Sequence, residues 1–140
     1  MTGFLLDTNC ISELVRPKPD PQVLAWFDAA QEDSLYLSVL TLGEIRRGVA
    51  ALPPSRRRTQ LESWVEIEVR SRFADRVLPI DSRIADRWGR LAATARLSGK
   101  PLSVIDGLLA ATALELDLTL VSRNTAAFAQ THVRVVNPWI

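Results

Sequence analysis

Five short apolar segments alternate with segments of helical periodicity along this chain of 140 residues. The apolar segments begin at Phe4, Leu35, Val77, Leu118 and Val133. Short apolar runs of this kind are typical of strands that are buried on both faces of a sheet. Strands that alternate with helices build a parallel sheet covered by helices. The sequence therefore predicts one α/β domain over residues 1–140, with three layers and a central parallel sheet of four to five strands.

Prolines, glycines and capping residues delimit the predicted helices. Asn9 can cap the first helix, which ends at three alternating prolines, and Pro21 suits the first turn of the second. The predicted helices cover residues 10–15, 21–30, 41–52, 55–73, 82–97 and 104–116. In the last of them we expect buried side chains at Val104, Ile105, Leu108, Leu109, Thr112 and Leu116.

Composition excludes several classes of site. Cys10 and His132 are the only cysteine and the only histidine, so disulfides within the chain, cysteine zinc sites and paired-histidine metal motifs are excluded. No apolar run reaches the roughly 18 residues of a membrane-spanning helix, and Asp7 interrupts any signal peptide. We therefore expect a cytoplasmic protein that does not contact membranes. Only two of the 17 basic residues are lysines, and this arginine bias slightly favours contact with nucleic acid.

Four polar residues lie at strand ends or in the first turn of an adjacent helix. These residues are Asp7, Glu44, Asp106 and Asn124. Ligands of open α/β sheets bind outside the carboxyl ends of the strands, so these side chains can converge on one edge. Each has a simpler reading when taken singly. Asp7 and Asn124 can be turn or cap residues, while Glu44 and Asp106 match capping boxes with Thr41 and Ser103.

Three acids gathered at one place require an explanation beyond capping. Carboxylates a few ångströms apart repel each other unless one is protonated or a cation lies between them. Magnesium is the natural candidate because it takes oxygen ligands and keeps several of its waters. The pattern therefore favours a divalent cation site formed by Asp7, Glu44 and Asp106.

The segments that carry these acids resemble the PIN-domain family, and more narrowly its VapC- and FitB-type toxins. The matching segments are Leu6-Asp7-Thr8-Asn9 with Ile11-Ser12-Glu13, Leu42-Gly43-Glu44-Ile45, Asp106-Gly107-Leu108-Leu109-Ala110-Ala111, Ser122-Arg123-Asn124 and Val136-Asn137-Pro138-Trp139. They occur in family order along essentially the whole chain.

The resemblance implies a metal-dependent endoribonuclease, the toxin of a type II toxin–antitoxin pair, which uses Mg²⁺ or Mn²⁺ to activate water. Asp7, Glu44 and Asp106 match the three acids of the family and Asn124 its fourth position. Many relatives carry a further acid where this chain has Ala127, so we expect weaker metal binding here. In this reading Asp7 and Asp106 are the principal metal ligands, and Glu44 is a third ligand or positions the attacking water. Thr8, Asn9 and Ser122 would orient those ligands.

The resemblance also implies partners. A cognate antitoxin would place its C-terminal segment in a groove between Thr41 and Phe73 and reach the active site. Homodimers are expected, and operator DNA would be contacted only through the antitoxin.

Other functions stay open. The protein can be a binding module, the structural half of a DNA-bound repressor complex with a weak site, which Asn124 and Ala127 favour. A phospho-receiver domain is disfavoured because neither Lys18 nor Lys100 lies at a strand end.

Several single residues receive simple predictions. Cys10 is expected to be buried and inert, Glu13 to be an exposed helix residue, and His132 to lie in a solvated loop. The basic run at residues 56–58 is read as a solvated helix start, with contact to RNA or to an acidic partner as alternatives.

Overall fold

The structure, a computed structural model, describes residues 3–140 and contains one five-stranded sheet. Its strands are β1 (Phe4–Leu6), β2 (Leu35–Ser38), β3 (Val77–Leu78), β4 (Thr119–Val121) and β5 (Val135–Val136). All neighbouring pairs are parallel, and the order across the sheet is β3-β2-β1-β4-β5. The predicted α/β class with a parallel sheet is confirmed. Because β1 is central and the order reverses beside it, its carboxyl end lies at the switch point where such sheets bind ligands.

Within residues 3–140, eight α-helices surround the sheet. They are α1 (Thr8–Glu13), α2 (Pro21–Ala29), α3 (Val39–Ala50), α4 (Arg56–Ser63), α5 (Arg70–Arg72), α6 (Ser82–Leu97), α7 (Val104–Glu115) and α8 (Thr125–Phe128). A π-helical segment, Trp64–Val69, joins α4 to α5, so the helix predicted over residues 55–73 is continuous but changes its winding. A 3₁₀ turn, Glu32–Ser34, precedes β2. In the described part of the chain, no helix has both the length and the apolar character needed to cross a membrane.

The two faces of the sheet carry separate apolar clusters. Successive strand residues point to opposite faces. Leu6 accordingly packs with Ile11, Val23 and Ile45 on one side. Leu5 packs on the other side with Leu109 of α7. The fully buried strand residues are therefore apolar on both faces, which explains why the strands read as uninterrupted apolar runs.

Three local predictions are wrong. The second strand ends at Ser38, whose hydroxyl accepts a hydrogen bond from the Leu40 amide at 3.1 Å and caps α3. Thr41 therefore lies inside this helix instead of capping it. Asp7, and not Asn9, is the cap residue of α1. Val104 is 58% exposed because it is the first residue of α7, ahead of the turns that pack on the sheet.

Candidate functional site

Asp7 lies directly after β1 and is 7% exposed. Its amide continues the strand ladder by donating to the Val121 carbonyl at 2.9 Å. Its side chain then caps α1, because Oδ1 accepts a hydrogen bond from the Thr8 amide at 2.8 Å. The same residue thus ends a strand and begins a helix, and this double role fixes the position of the carboxylate.

The strand register brings Ser122 to Asp7. β1 and β4 pair with Leu6 beside Val121, so the residues that follow them are also neighbours. The Ser122 hydroxyl, which is fully buried, donates to Asp7 Oδ2 at 2.7 Å. Asn9 Nδ2 lies 3.5 Å from the same oxygen and 3.4 Å from Ser122 Oγ. Two of the residues expected to orient the ligands therefore contact the Asp7 carboxylate.

Glu44 reaches the site from α3. The Thr8 hydroxyl donates to Glu44 Oε1 at 2.6 Å, which joins the start of α1 to the helix after the neighbouring strand. A guanidinium nitrogen of Arg47, an exposed side chain, lies 4.0 Å from the other carboxylate oxygen of Glu44, Oε2. The capping-box alternative for Glu44 is wrong, since Thr41 lies within the helix and its buried hydroxyl has no partner among the described residues.

Asp106 lies in the first turn of α7, which runs back from the carboxyl edge of the sheet. Ser103 caps this helix by accepting a hydrogen bond from the Asp106 amide at 3.2 Å. Half of the capping box is therefore present. The Asp106 carboxylate itself is half-buried and receives no hydrogen bond from any residue in 3–140. The next residue, Gly107, packs closely against Trp88, because an added Cβ at Gly107 would lie 2.8 Å from Trp88 Cδ1.

Asn124 is joined to the site through its backbone. Its amide donates to Ser122 Oγ at 3.0 Å, and it precedes α8, a helix that the sequence patterns did not predict. The Asn124 side chain is exposed and makes no capping bond. The structure therefore brings this residue to the same edge as the three acids without fixing its side chain.

Electrostatics link the three acids. Burial is the main cause that raises the pKa of Asp7 above its ordinary value, and the hydrogen bonds from Ser122 and Thr8 oppose the rise. The negative charges of Asp106 and Glu44 raise the Asp7 pKa further. The charges of Glu44 and Asp106 thus disfavour the ionised form of Asp7, as expected when carboxylates lie near one another.

These side chains offer only oxygen donors, which suits a hard cation such as Mg²⁺ or Mn²⁺. No three His, Cys, Asp or Glu side chains within the described range are close enough to enclose a metal ion directly. A cation that keeps several waters fits this spacing, because bridging waters can extend the reach of each carboxylate. The donor set is therefore compatible with a hydrated divalent ion and unsuited to a tightly enclosed one.

Other polar residues have structural surroundings. Cys10 is fully buried, as expected, and burial raises the pKa of its thiol, which disfavours the reactive thiolate. His132 is exposed, also as expected. The prediction for Glu13 is wrong, since it is 5% exposed. It accepts hydrogen bonds from the Asp20 amide at 2.9 Å and from Arg16 at 3.3 Å, which holds the proline-rich loop in place.

The basic run at the start of α4 is partly structural. The Arg57 guanidinium donates to the Val15 carbonyl at 2.5 Å and Arg58 to the Leu52 carbonyl at 3.2 Å. Arg56 and Arg57 are exposed at the start of α4, so the prediction of a solvated helix start is confirmed for them, while Arg57 and Arg58 also bond to segments that precede the helix.

Comparison with known proteins places these features in a family. The family model described as PIN domain matches residues 4–133, a range that includes all four polar positions at the sheet edge. The chain is 42% identical to "VapC ribonuclease Y4jK" of Sinorhizobium fredii, over 97% of each chain. It is 39% identical to "Toxin FitB" of Neisseria gonorrhoeae, over 97% of this chain and 98% of the relative.

Solved structures show the same relationship. The structure of FitAB bound to a DNA fragment superimposes with a TM-score of 0.93 at 38% identity, covering 98% of this chain and 96% of that one. The crystal structure of FitAcB from Neisseria gonorrhoeae superimposes with a TM-score of 0.92 at 39% identity, covering 97% of this chain and 98% of that one. The chain therefore belongs to the PIN-domain family, in the group that contains the VapC and FitB toxins.

Proposed function

We propose that this protein is a magnesium-dependent endoribonuclease and the toxin of a type II toxin–antitoxin pair. The observation that carries the proposal is the hydrogen-bonded group at the carboxyl edge of the central strand, where Ser122 and Asn9 contact the Asp7 carboxylate and Thr8 contacts that of Glu44. The names of its relatives, a ribonuclease and a toxin, support the reaction class. Such a toxin would act on RNA in the cytoplasm.

Asp7 and Asp106 would hold the cation, Mg²⁺ or Mn²⁺, with Glu44 as a third ligand or as the group that positions the attacking water. When bound, the cation supplies charge that neutralises the phosphate and lowers the pKa of a coordinated water. Ser122 and Asn9 hold the Asp7 carboxylate in one orientation, while Thr8 does the same for Glu44. Preorganisation of this kind reduces the cost of assembling the site when substrate binds.

The proposed reaction is hydrolysis of an RNA phosphodiester bond. Glu44 is suited to orient water because its carboxylate is half-buried and one of its oxygens is already held by Thr8. The exposed side-chain amide of Asn124 can donate a hydrogen bond to a phosphate oxygen or accept one from a metal-bound water. No histidine is needed in this scheme, in keeping with an exposed His132 as the only one.

The test is cleavage of total bacterial RNA by purified protein with Mg²⁺ or Mn²⁺, with and without EDTA. We expect cleavage that requires the metal and that folded Asp106→Asn protein lacks. Equal cleavage by wild type and Asp106→Asn would refute the assignment. Sequencing of RNA ends after induced expression of the same two proteins would then identify the RNA.

We also propose that a cognate antitoxin binds between Thr41 and Phe73. A groove of about 190 Å³ lies there, lined by apolar residues of α3 and α4. Its lining includes Ile45, Val49, Leu61 and Trp64, together with Thr8 and Glu44 of the candidate site. An amphipathic segment in this groove would reach the active site.

Operator DNA would enter the same assembly. The related FitAB complex has been solved bound to a DNA fragment. By analogy we assign the DNA contacts of the present system to the antitoxin, with the toxin as a homodimer.

A second candidate is a structural partner in a DNA-bound repressor complex, with little catalysis. The absence of a closed three-ligand cluster in residues 3–140 favours this candidate, as does the exposed Asn124 side chain. Metal titration separates the two. Lack of binding at millimolar Mg²⁺ or Mn²⁺ with RNA present would support the structural role.

A further inference from the structure

A second pocket includes Arg123, the residue after Ser122, and has no part in the proposed reaction. Its volume is about 450 Å³. The proline-rich loop between α1 and α2 forms one wall, and the segment after β4 together with the C-terminal Trp139 forms the other. The chemistry-bearing residues in its lining are Glu13, Arg16, Lys18, Asp20, Arg123 and Trp139.

The two acids of this pocket are engaged within the protein. Both oxygens of Glu13 are used, one by the Asp20 amide and the other by Arg16. The Asp20 carboxylate caps α2 by accepting a hydrogen bond from the Gln22 amide at 2.8 Å. These contacts also fix the loop that carries Lys18.

The cations are less compensated than the acids. Lys18 and Arg123 are exposed, and neither forms an ion pair with a residue in the described part of the chain. Arg16 is 61% exposed although it contacts Glu13. Lys18 and Arg123 therefore give the pocket positive charge that is not paired with an acid in residues 3–140.

Arg123 connects the pocket to the acids. It follows Ser122, the donor to Asp7, and its own amide donates to Asn9 Oδ1 at 3.3 Å. Its guanidinium lies over the Trp139 ring, 5.3 Å from the centroid. Stacking restricts a side chain that would otherwise be mobile and leaves its N–H groups available to a ligand.

We propose that this pocket binds the backbone of single-stranded RNA beside the bond that is cut. Lys18 and Arg123 contact phosphates, and the guanidinium plane held by Trp139 offers a surface on which a base can stack. The three catalytic acids repel a polyanion, so affinity for RNA must come from cations nearby. This inference rests on the proposed ribonuclease function and identifies where its substrate is held.

The test is fluorescence anisotropy with a fluorescein-labelled, mixed-sequence single-stranded RNA of 12 nucleotides, in EDTA so that no cleavage occurs. Dissociation constants are measured across a series of KCl concentrations for wild type and for Lys18→Gln/Arg123→Gln. For single-stranded nucleic acid, log K falls as log salt concentration rises, and each lost phosphate contact reduces the magnitude of that slope by about 0.7. We expect a slope reduced by about 1.4 and at least about tenfold weaker binding at low salt.

Arg134→Gln is the matched control. Arg134 is also an exposed arginine, but it precedes β5 at the opposite edge of the sheet and pairs with Asp117 at 3.0 Å. The control changes the net charge by the same amount per residue and should leave both affinity and slope unchanged. Arg123→Lys should keep the salt slope while losing affinity, because it retains the charge and loses the planar stack.

Three results would overturn the inference. The first is an unchanged affinity and slope in the folded double variant, and the second is an equal effect of Arg134→Gln. The third is an unchanged RNA affinity together with weaker binding of a labelled poly-glutamate peptide, which would assign the pocket to an acidic protein segment. Failure of the ribonuclease assignment is detected separately, as absence of metal-dependent cleavage by wild type.

Discussion

Asp7 and Asp106 are both acids at the same edge of the sheet, but the fold treats them differently. The Asp7 carboxylate is buried and accepts hydrogen bonds from the Thr8 amide and the Ser122 hydroxyl. The Asp106 carboxylate is half-buried and accepts none from residues 3–140. The Asp7 side chain therefore stabilises the fold whatever its function, whereas the Asp106 carboxylate makes no hydrogen bond that would give it a structural role.

In the proposed function, this difference would give the two acids different roles in binding a cation. A buried, hydrogen-bonded carboxylate has one orientation and a raised pKa, so it is preorganised but costly to ionise. A half-exposed carboxylate without partners can rotate to meet a hydrated ion. We infer that Asp7 sets the position of the cation and that Asp106 completes its coordination. Substitutions that affect Asp7 and substitutions that affect Asp106 should therefore have different effects on stability and on metal binding.

The largest effect is expected for Asp106→Asn. Because the carboxylate has no hydrogen-bond partner in the protein, the change should leave the melting temperature within about 2 °C of wild type. Loss of a metal ligand should lower RNA cleavage by at least about 100-fold. Cleavage rate and melting temperature are measured on the same preparation. A large fall in melting temperature would show that Asp106 is as structural as Asp7.

Removal of the Ser122 hydroxyl tests the Asp7 side. Ser122→Ala takes away the donor to Asp7 and the acceptor for the Asn124 amide, so we expect a loss of about 1–3 kcal/mol in the free energy of unfolding. Mn²⁺ affinity should fall about 10- to 100-fold, as for other groups that orient metal ligands. Urea unfolding and Mn²⁺ titration provide the two values.

Ser103→Ala is the matched change on the Asp106 side. It removes a cap that contacts the Asp106 amide and not its carboxylate. Loss of a cap should cost about 1 kcal/mol, with Mn²⁺ affinity within about twofold of wild type. Equal losses of affinity in the two serine variants would contradict the division of roles.

Gly107→Ala tests how the backbone of Asp106 is held. The added methyl group would lie 2.8 Å from Trp88 Cδ1 and 2.9 Å from Nε1, so we expect about 1–3 kcal/mol of destabilisation from overpacking. Gly43→Ala, beside Glu44 in α3, is the control, because no atom lies within 4 Å of its added Cβ. It should be neutral or stabilising by up to about 1 kcal/mol. A neutral Gly107→Ala would show that Trp88 does not position Asp106.

The raised pKa of Asp7 predicts a pH dependence of stability. The folded state binds the Asp7 proton more tightly than the unfolded chain, whose carboxyl titrates near the ordinary 3.8. As pH rises above that value the unfolded chain ionises first, so this contribution to stability falls until the folded pKa is passed. Wild type in EDTA should therefore lose stability relative to Asp7→Asn as pH rises above the ordinary carboxyl value of 3.8. Saturating Mn²⁺ should reduce the loss, and a flat difference would contradict the shift.

The smallest effect is expected for Asn124→Asp. The side chain is exposed and unbonded, so an added carboxylate can turn towards the cation and should tighten Mn²⁺ binding a few-fold. An unchanged affinity would place Asn124 outside the reach of the metal.

Much of this arrangement follows from sequence patterns. The apolar runs predict the strands and a parallel sheet, whereas the neighbouring positions of β1 and β4 and their register, which bring Asp7 beside Ser122, come from the structure. The errors arise where two local signals compete. Thr41-x-x-Glu44 resembles a capping box, but Ser38 caps the helix one turn earlier because the strand ends there.

Burial that depends on a distant segment was not predictable. Glu13 reads as a surface helix residue until the proline-rich loop folds back and its Asp20 amide needs an acceptor. The lack of hydrogen-bond partners for the Asp106 carboxylate could not be predicted either, because the same Ser-x-x-Asp spacing is compatible with a closed capping box. Both errors concern side-chain partners, which spacing alone does not determine.

Calorimetric titration of Mn²⁺ into wild type and Asp106→Asn tests most directly whether the three acids act together. We expect one ion per chain in wild type, at millimolar or lower concentration, and at least about tenfold weaker binding in the variant. Equal affinities, or no binding by wild type at millimolar Mn²⁺, would contradict the claim that Asp7, Glu44 and Asp106 form one cation site.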